Sequence, residues 1–337
     1  MVRTVRARRV LVSGMGGELG SQVAAHFERE SWVGELLGLD IDPPRRRLPR
    51  SGFHLVDPLA RDHIERLVKD FDPEIVVHFG VYEPDARASA REAARWTPAF
   101  TDALFGAAGA CPSLAGVVVR SGIELYGRGG DRPDQPDESA PAAPTTPFGR
   151  ELADVEARAR LLGHERDVPV AALRLAPVLG PHVPSPLGRL LRLPVVPIDL
   201  LGVIGRTRFQ VIDDRDVGRM SVAAARNGFD GAVNLAADDS ITVRQALHHG
   251  RRLPIPIFGP QWYGARLLAH GLGAPVPAHV SELLARGRRC STAAAGDLLG
   301  VTPSWSTEQL IDALYAWEQV VHVRPAGPSA FAAVEGS

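Results

Sequence analysis

Residues 9–20 read RVLVSGMGGELG, a short apolar run followed at once by three spaced glycines, Gly14, Gly17 and Gly20. Arg9 to Ser13 has the near-continuous apolar character of a strand buried on both faces, and a helix is predicted to begin near Glu18. A glycine-rich turn between a strand and a helix suits an anionic dinucleotide. Gly14 permits the tight turn, Gly17 lets backbone approach a pyrophosphate, and Gly20 lets the helix close on the strand. The helix start offers unpaired amides and the positive end of its dipole to the anion.

Working outward, Gly34 to Asp40, Glu74 to Phe79, Gly116 to Ser121 and Val168 to Leu175 repeat the strand pattern, with helical segments or loops between them. Such alternation predicts an α/β fold, a Rossmann-type doubly wound parallel sheet covered on both faces. The proline- and glycine-rich stretch 127–147 is predicted to be a loop. After Ala176 the pattern loosens into proline-rich segments and shorter helices, among them Asp216 to Arg226 and Thr307 to Gln319. The expected organisation is a dinucleotide-binding domain over 1–175, a smaller α+β substrate domain over 176–324 interleaved with it, and a flexible tail over 325–337.

Bulk composition narrows the partners. The 337 residues are 45% hydrophobic and carry a net charge of -1 with both signs interspersed, which argues against nucleic acid as the main ligand. The two cysteines, Cys111 and Cys290, have no partner spacing, so neither a disulfide framework nor a zinc site is expected. The N-terminus passes into a strand instead of an apolar signal core, and the apolar stretch around Leu187 to Ile204 is broken by Arg192, Asp199 and prolines, so a cytoplasmic protein without a spanning helix is expected.

Asp40 stands twenty residues past Gly20 at the end of the second predicted strand, where a carboxylate accepts both ribose hydroxyls of an adenosine half. This favours NAD over NADP, although Arg45, Arg46 and Arg47 follow closely and are suited to a 2′-phosphate.

The chain resembles the extended short-chain dehydrogenase/reductase superfamily, in particular its NAD-dependent epimerase/dehydratase group. The glycine loop is similar to that family's T-G-x-x-G-x-x-G, with Ser13 for threonine. VVHFGVYEP looks like its V-V-H-x-A-A strand end, RSGIELYG its S-S-x-x-V-Y-G, and LRLAPVLGP its R-x-x-x-V-Y-G-P. FQVIDDRDVGRM, GAVNLAADDSITVRQA and LGVTPSW are also of the family's type. The resemblance implies cofactor contacts from Gly14, Met15, Gly16, Gly17, Glu18, Leu19 and Gly20, from Asp40, Asp57 and Pro58, and from Phe79, Gly80, Val81, Ser121 and Pro177. It further implies a nucleotide-sugar-like ligand and a homodimer formed through the helices after Ser89 and Phe148.

The departures from the family are equally specific. Its catalytic tyrosine and lysine lie in P-Y-G-x-S-K, one helical turn apart, where the ammonium lowers the phenol's pKa. This chain reads PFGREL, with Phe148 and Leu152 at those positions and Lys69, its single lysine, far away. The family's catalytic serine or threonine position holds Gly122, and Trp96 aligns with its structural asparagine. Ser121 is one residue off, on the opposite face, and is expected to contact backbone or cofactor.

Three readings follow. The first is a cofactor-dependent sensor or accessory protein that binds NAD(H) without the family's chemistry. The second is an oxidoreductase or epimerase with relocated acid/base groups, for which Tyr126 and Glu124 are the candidates, with His78 and Arg150 behind them; His78, in a strand, also suits a satisfied core histidine. In that case Arg189, Arg192, Arg206 and Arg208 are candidates to grip a substrate diphosphate. The third is an interaction or membrane-surface module, prompted by residues 253–273, where Phe258, Trp262 and Tyr263 accompany Arg251, Arg252 and Arg266.

Overall fold

The computed structural model describes residues 7–129, 133–198, 207–257 and 261–317. Seven parallel strands form the central sheet: β1 (Arg8–Ser13), β2 (Val33–Asp40), β3 (Ser51–Leu55), β4 (Ile75–His78), β5 (Gly116–Gly122), β6 (Val170–Leu175) and β7 (Gly231–Leu235). Their order is β7-β6-β5-β4-β1-β2-β3, so the chain winds outward in both directions from the β1–β4 pair. Loops leaving β1 and β4 diverge there, and the crevice between them is where doubly wound sheets bind ligands. Every residue of β4 and β6 is buried, which explains their mostly apolar sequences, interrupted only by His78 and Arg174.

The sequence reading places all five strands it names within two residues of their observed starts. The edge strand Ser51–Leu55, with its alternating and mostly exposed pattern, and Gly231–Leu235 carry weaker apolar signals. The latter lies within the stretch assigned to the smaller domain, yet it extends the main sheet by pairing with β6 from Gly231↔Ala171 to Leu235↔Leu175.

Two cores flank the sheet. On one side α1 (Glu18–Glu28) and Asp214–Asn227 pack through Val23, Phe27, Val217 and Met220. On the other, α2 (Arg61–Phe71), α3 (Ala90–Gly109) and α4 (Pro147–Arg166) pack through Ile64, Phe100, Leu104, Phe148, Leu152, Val155 and Ala159. Ser89 and Glu92 close a capping box at the start of α3, and Thr146 accepts from the Gly149 amide at the start of α4. The spacing of Phe148, Leu152, Val155 and Ala159 places them all on the buried stripe of α4. A third core, including Leu187, Leu190, Phe209, Leu283 and Leu310, belongs to the C-terminal part.

Of the segments singled out by sequence, Arg206, Phe258 and the 325–337 tail lie outside the described residues, as do the side chains of Trp262, Tyr263 and Arg266. No described helix is long and apolar enough to cross a membrane.

Candidate functional site

β1 ends against the start of α1, and the turn between them is held tightly. Gly14 has φ 78°, and a Cβ on it would run into the Phe79 backbone. A Cβ on Gly20 would meet the Gly14 carbonyl, so the first helical turn sits directly on the loop. Gly17 caps α1 with no side-chain hydrogen bond, which leaves the amides of the first turn facing outward.

Gly14, Gly17, Glu18, Leu19 and Gly20 line one side of a cleft of about 530 Å³. Phe79, Val81, Tyr82, Glu83, Arg87, Arg120, Val178, Val183 and Pro184 form the rest. Glu83, Arg120 and Val178 also line a second hollow of about 280 Å³, whose other walls include Ser121, Gly122, Glu124, Phe148, Leu152 and Pro177. The cleft and hollow thus run from the glycine loop to the three positions at which this chain departs from the catalytic pattern. At that far end stand a glycine, a phenylalanine and a leucine, with no phenol or ammonium among the lining residues.

Other residues expected at the cofactor lie behind these surfaces. Met15 is fully buried and packs against Gly38, and Gly80 packs against Phe100. Gly16 lies against the Asp42 carbonyl, and Pro58 is buried. Asp57 is exposed and accepts from the Leu59 amide at 2.9 Å.

Asp40 is fully buried, and both of its oxygens are engaged. Oδ2 accepts from the Gly17 amide at 3.1 Å and from Arg87 Nη1 at 3.0 Å. Oδ1 accepts from the Ile41 amide at 2.6 Å and from Arg87 Nη2 at 3.0 Å. Arg87 Nη2 also donates to Asp42 Oδ2 at 2.9 Å, and the guanidinium carbon lies 5.9 Å from the Tyr82 ring centroid. Sequence reasoning singled out Asp40 but missed Arg87, which lies 47 residues away in a loop with no motif around it. Of the nearby arginines, Arg46 pairs with Glu18 at 2.9 Å, and Arg45 lies 3.6 Å from Asp42.

The acid/base candidates occupy different environments. Tyr126 donates to Asn234 Oδ1 at 2.7 Å and accepts from Arg174 Nη1 at 2.8 Å; burial raises its phenol to about 12 against the opposing Arg174 charge. Ser121 donates to Glu156 at 2.8 Å, and Arg174 reaches the same carboxylate at 2.7 Å. Ser121, expected to contact backbone or cofactor, thus meets a buried carboxylate supplied from α4 while also lining the second hollow. Glu124 is paired with Arg288 at 2.9 Å, and Arg288 with Glu282 at 2.7 Å.

His78 lies between Ser13 and Thr101, at 2.7 and 2.9 Å. Because the Thr101 hydroxyl donates to the Thr97 carbonyl, it receives the His78 Nε2 proton, and Nδ1 accepts from Ser13. Burial lowers this imidazole to about 3, so it is a neutral structural connector. Arg150 is exposed on the outer side of α4.

One further titratable residue, Glu83, borders both cavities and is paired with His279. Glu83 Oε1 is 3.1 Å from His279 Nε2, and its other oxygen is 3.5 Å from Arg120. Burial pushes Glu83 up, but hydrogen bonding to His279 and the charges of His279, Arg120 and Arg189 outweigh it and leave the carboxyl below its usual range. The two residues are 196 positions apart, and no local signal links them. Among the described residues, no group of histidine, cysteine or carboxylate side chains forms a metal site.

Comparison with known proteins agrees with this geometry. The NAD dependent epimerase/dehydratase family matches residues 10–237. An uncharacterized protein of Mycobacterium tuberculosis strain H37Rv is 28% identical over 319 residues, spanning 90% of this chain and 82% of its own. Among solved structures, UDP-glucuronic acid 4-epimerase from Bacillus cereus, in complex with UDP-glucuronic acid and NAD, aligns with a TM-score of 0.70 at 17% identity. That alignment covers 92% of this chain and 98% of the other. UDP-glucose 4-epimerase from Thermotoga maritima, with UDP-glucose, aligns at 0.69 and 18%, covering 91% and 98%.

Proposed function

Because the chain belongs to the NAD dependent epimerase/dehydratase family, we propose that it binds NAD(H) along the glycine-loop cleft but does not use the family's phenol-and-amine route, acting as a cofactor-dependent sensor or accessory protein. The observation that carries this reading is the wall of the second hollow, where Gly122, Phe148 and Leu152 stand together. A phenol that passes a proton during carbonyl chemistry contributes roughly 10²–10⁴-fold in rate. Neither Phe148 nor Leu152 supplies a titratable group. The local fit to a dinucleotide is good at the loop, where Gly14 and Gly20 leave room only for backbone and α1 presents its first-turn amides.

When bound, NAD supplies a hydride acceptor. This chain's own residues would cradle the pyrophosphate at Gly17 and the start of α1, seat the adenosine ribose beside Asp40, and shield the nicotinamide end with Val178 and Pro177. A carboxylate at Asp40 would favour NAD over NADP where it is free to meet the ribose diol. Two of the solved structures hold a nucleotide sugar, which makes a ligand of that class the first to try in the second hollow. A homodimer through the outward faces of α3 and α4 belongs to the same reading and is measured by sedimentation.

The test is calorimetric titration with NAD⁺, NADH, NADP⁺ and NADPH, repeated with Asp40→Ala. Micromolar NAD(H) binding that weakens in the variant is expected. No binding to any of the four would sink the proposal.

A second reading, an active enzyme with relocated groups, draws support from Glu83, which lines both cavities and is bonded to His279. Conversion of UDP-glucose followed by proton NMR, abolished in Glu83→Gln, would favour it. Absence of conversion at millimolar NAD⁺ would leave the binding-protein reading in place.

A further inference from the structure

The carboxylate that should hold the adenosine ribose already holds an arginine. Arg87 approaches Asp40 with both terminal nitrogens at 3.0 Å, and its second nitrogen also reaches Asp42 at 2.9 Å. The same guanidinium covers the glycine loop, since a Cβ on Gly17 would lie 2.5 Å from Arg87 Nη1. With the Gly17 and Ile41 amides on its remaining lone pairs, Asp40 has no open acceptor position for a ribose diol. The arginine is well anchored: its guanidinium carbon lies 5.9 Å from the Tyr82 ring centroid, and it faces two carboxylates.

Resting on the dinucleotide reading above, we infer that Arg87 is a specificity-determining residue. It competes with the adenosine ribose for Asp40 and, while it stays, cancels the charge by which Asp40 would reject a 2′-phosphate. A bare aspartate at this position favours NAD in two ways: it accepts from the 2′- and 3′-hydroxyls, and it repels the extra phosphate of NADP. A bidentate arginine removes both effects. It closes the acceptor positions and places a cation within reach of a phosphate on the same ribose. Arg45, 3.6 Å from Asp42, and Arg46 beside Glu18 add cations on the same side. The wild-type site is thereby a weak discriminator that either dinucleotide enters only by displacing Arg87, and removing the guanidinium converts it into a strong NAD selector.

The other groups around this ion pair do not change its sign. Tyr82 faces Asp40 and Asp42, and its phenol is raised well above its ordinary range by burial and those charges, so it stays neutral. Glu18 is held by Arg46.

The experiment is calorimetry of wild type, Arg87→Met and Arg87→Lys with NAD⁺, NADP⁺ and nicotinamide mononucleotide, each variant checked by circular dichroism. Methionine keeps an unbranched apolar stem without the charge; lysine keeps one charge but cannot make the two-pronged contact. In Arg87→Met the ratio of NAD⁺ to NADP⁺ affinity is expected to rise at least tenfold, about 1.4 kcal/mol, chiefly through tighter NAD⁺. Nicotinamide mononucleotide, which lacks the adenosine ribose, should be unaffected. Arg87→Lys should fall between, and it decides the matter alone if the methionine variant does not fold. A ratio unchanged or lowered in the folded variant overturns the inference while leaving the dinucleotide site standing. Failure of wild type and variants alike to bind either dinucleotide overturns the dinucleotide reading, and the inference with it.

Discussion

The Phe148 ring lies against the His279 imidazole, with centroids 4.9 Å apart and planes inclined by 47°. An aromatic contact of this kind ties α4 to Ala278–Arg286 at the position where the family resemblance implies a phenol. The residues replacing the catalytic pair therefore do packing work, and restoring the pair has a structural cost. Phe148→Tyr preserves the ring, and we expect a change in unfolding free energy within about 1 kcal/mol. Leu152→Lys puts an amine where the leucine is 1% exposed, and we expect a loss of roughly 2–5 kcal/mol. Gly122→Ser adds to it, because its Cβ would lie 2.5 Å from Glu124 Oε2 and 2.9 Å from Leu152 Cδ1. Urea unfolding of the three single variants and the triple variant measures this, and an unperturbed Leu152→Lys protein would contradict the packing account.

Tyr126 is the hub of a buried polar centre, so its removal should be felt in stability. Tyr126→Phe leaves Arg174 and Asn234 each short of a partner, and we expect a loss of about 1–3 kcal/mol. The phenol, raised to about 12, should not ionise near pH 10. An ultraviolet titration comparing wild type with Tyr126→Phe should show no difference at pH 10 and one missing phenol near pH 12. A Tyr126 signal at pH 10 would mean that the hydroxyl is solvent-facing and available as an acid.

The parts of this site visible in sequence are those determined by local chemistry. RVLVSGMGGELG encodes its strand, turn and helix within twelve residues, because close backbone approach admits only glycine at Gly14 and Gly20. Asp40 follows from its place at the end of β2. Phe148 and Leu152 are legible as departures since they sit on one helical stripe. Arg87, Glu83 and His279 are not legible in the same way. Arg87 meets Asp40, and Glu83 meets His279, only after the loop following β4 and the helix Ala278–Arg286 fold together over the carboxyl ends of the strands, and arginines are so abundant here that one more carries no signal. The Tyr126–Asn234 contact spans 108 residues and joins a short 3-10 turn to a strand with a weak pattern.

Glu83 gives a titration whose sign is opposite to that of the buried acid discussed last. Its folded pKa is depressed, so its contribution to stability is present above the usual carboxylate range and is lost as pH falls through the folded value. Glu83→Gln should lower the melting temperature at pH 7, with the gap to wild type narrowing as pH drops below about 4. His279→Ala should remove most of that pH-dependent difference, since the imidazole supplies both a hydrogen bond and a charge to Glu83. A gap that stays constant from pH 7 to pH 3 would show that the ion pair does not form in solution.

Asp214 is buried to 1% exposure at the start of its helix, and neither carboxyl oxygen has a hydrogen-bond partner. Burial, reinforced by the adjacent Asp213 charge, raises it to about 7 even though Arg46 stands 4.0 Å away. A carboxyl whose folded pKa is raised favours the protonated fold. Stability is fully present below the unfolded value near 4 and declines as pH rises toward 7, after which the loss is complete. Asp214→Asn keeps the shape and removes the titration. We expect the variant to match wild type near pH 4 and to exceed it at pH 8 by roughly 2–4 kcal/mol, the free-energy equivalent of such a displacement. Thermal or urea unfolding at half-unit pH steps would show the two curves separating between pH 4 and 7. Parallel curves would mean that Asp214 is ionised in the fold at every pH tested and that Arg46 moves in to pair with it.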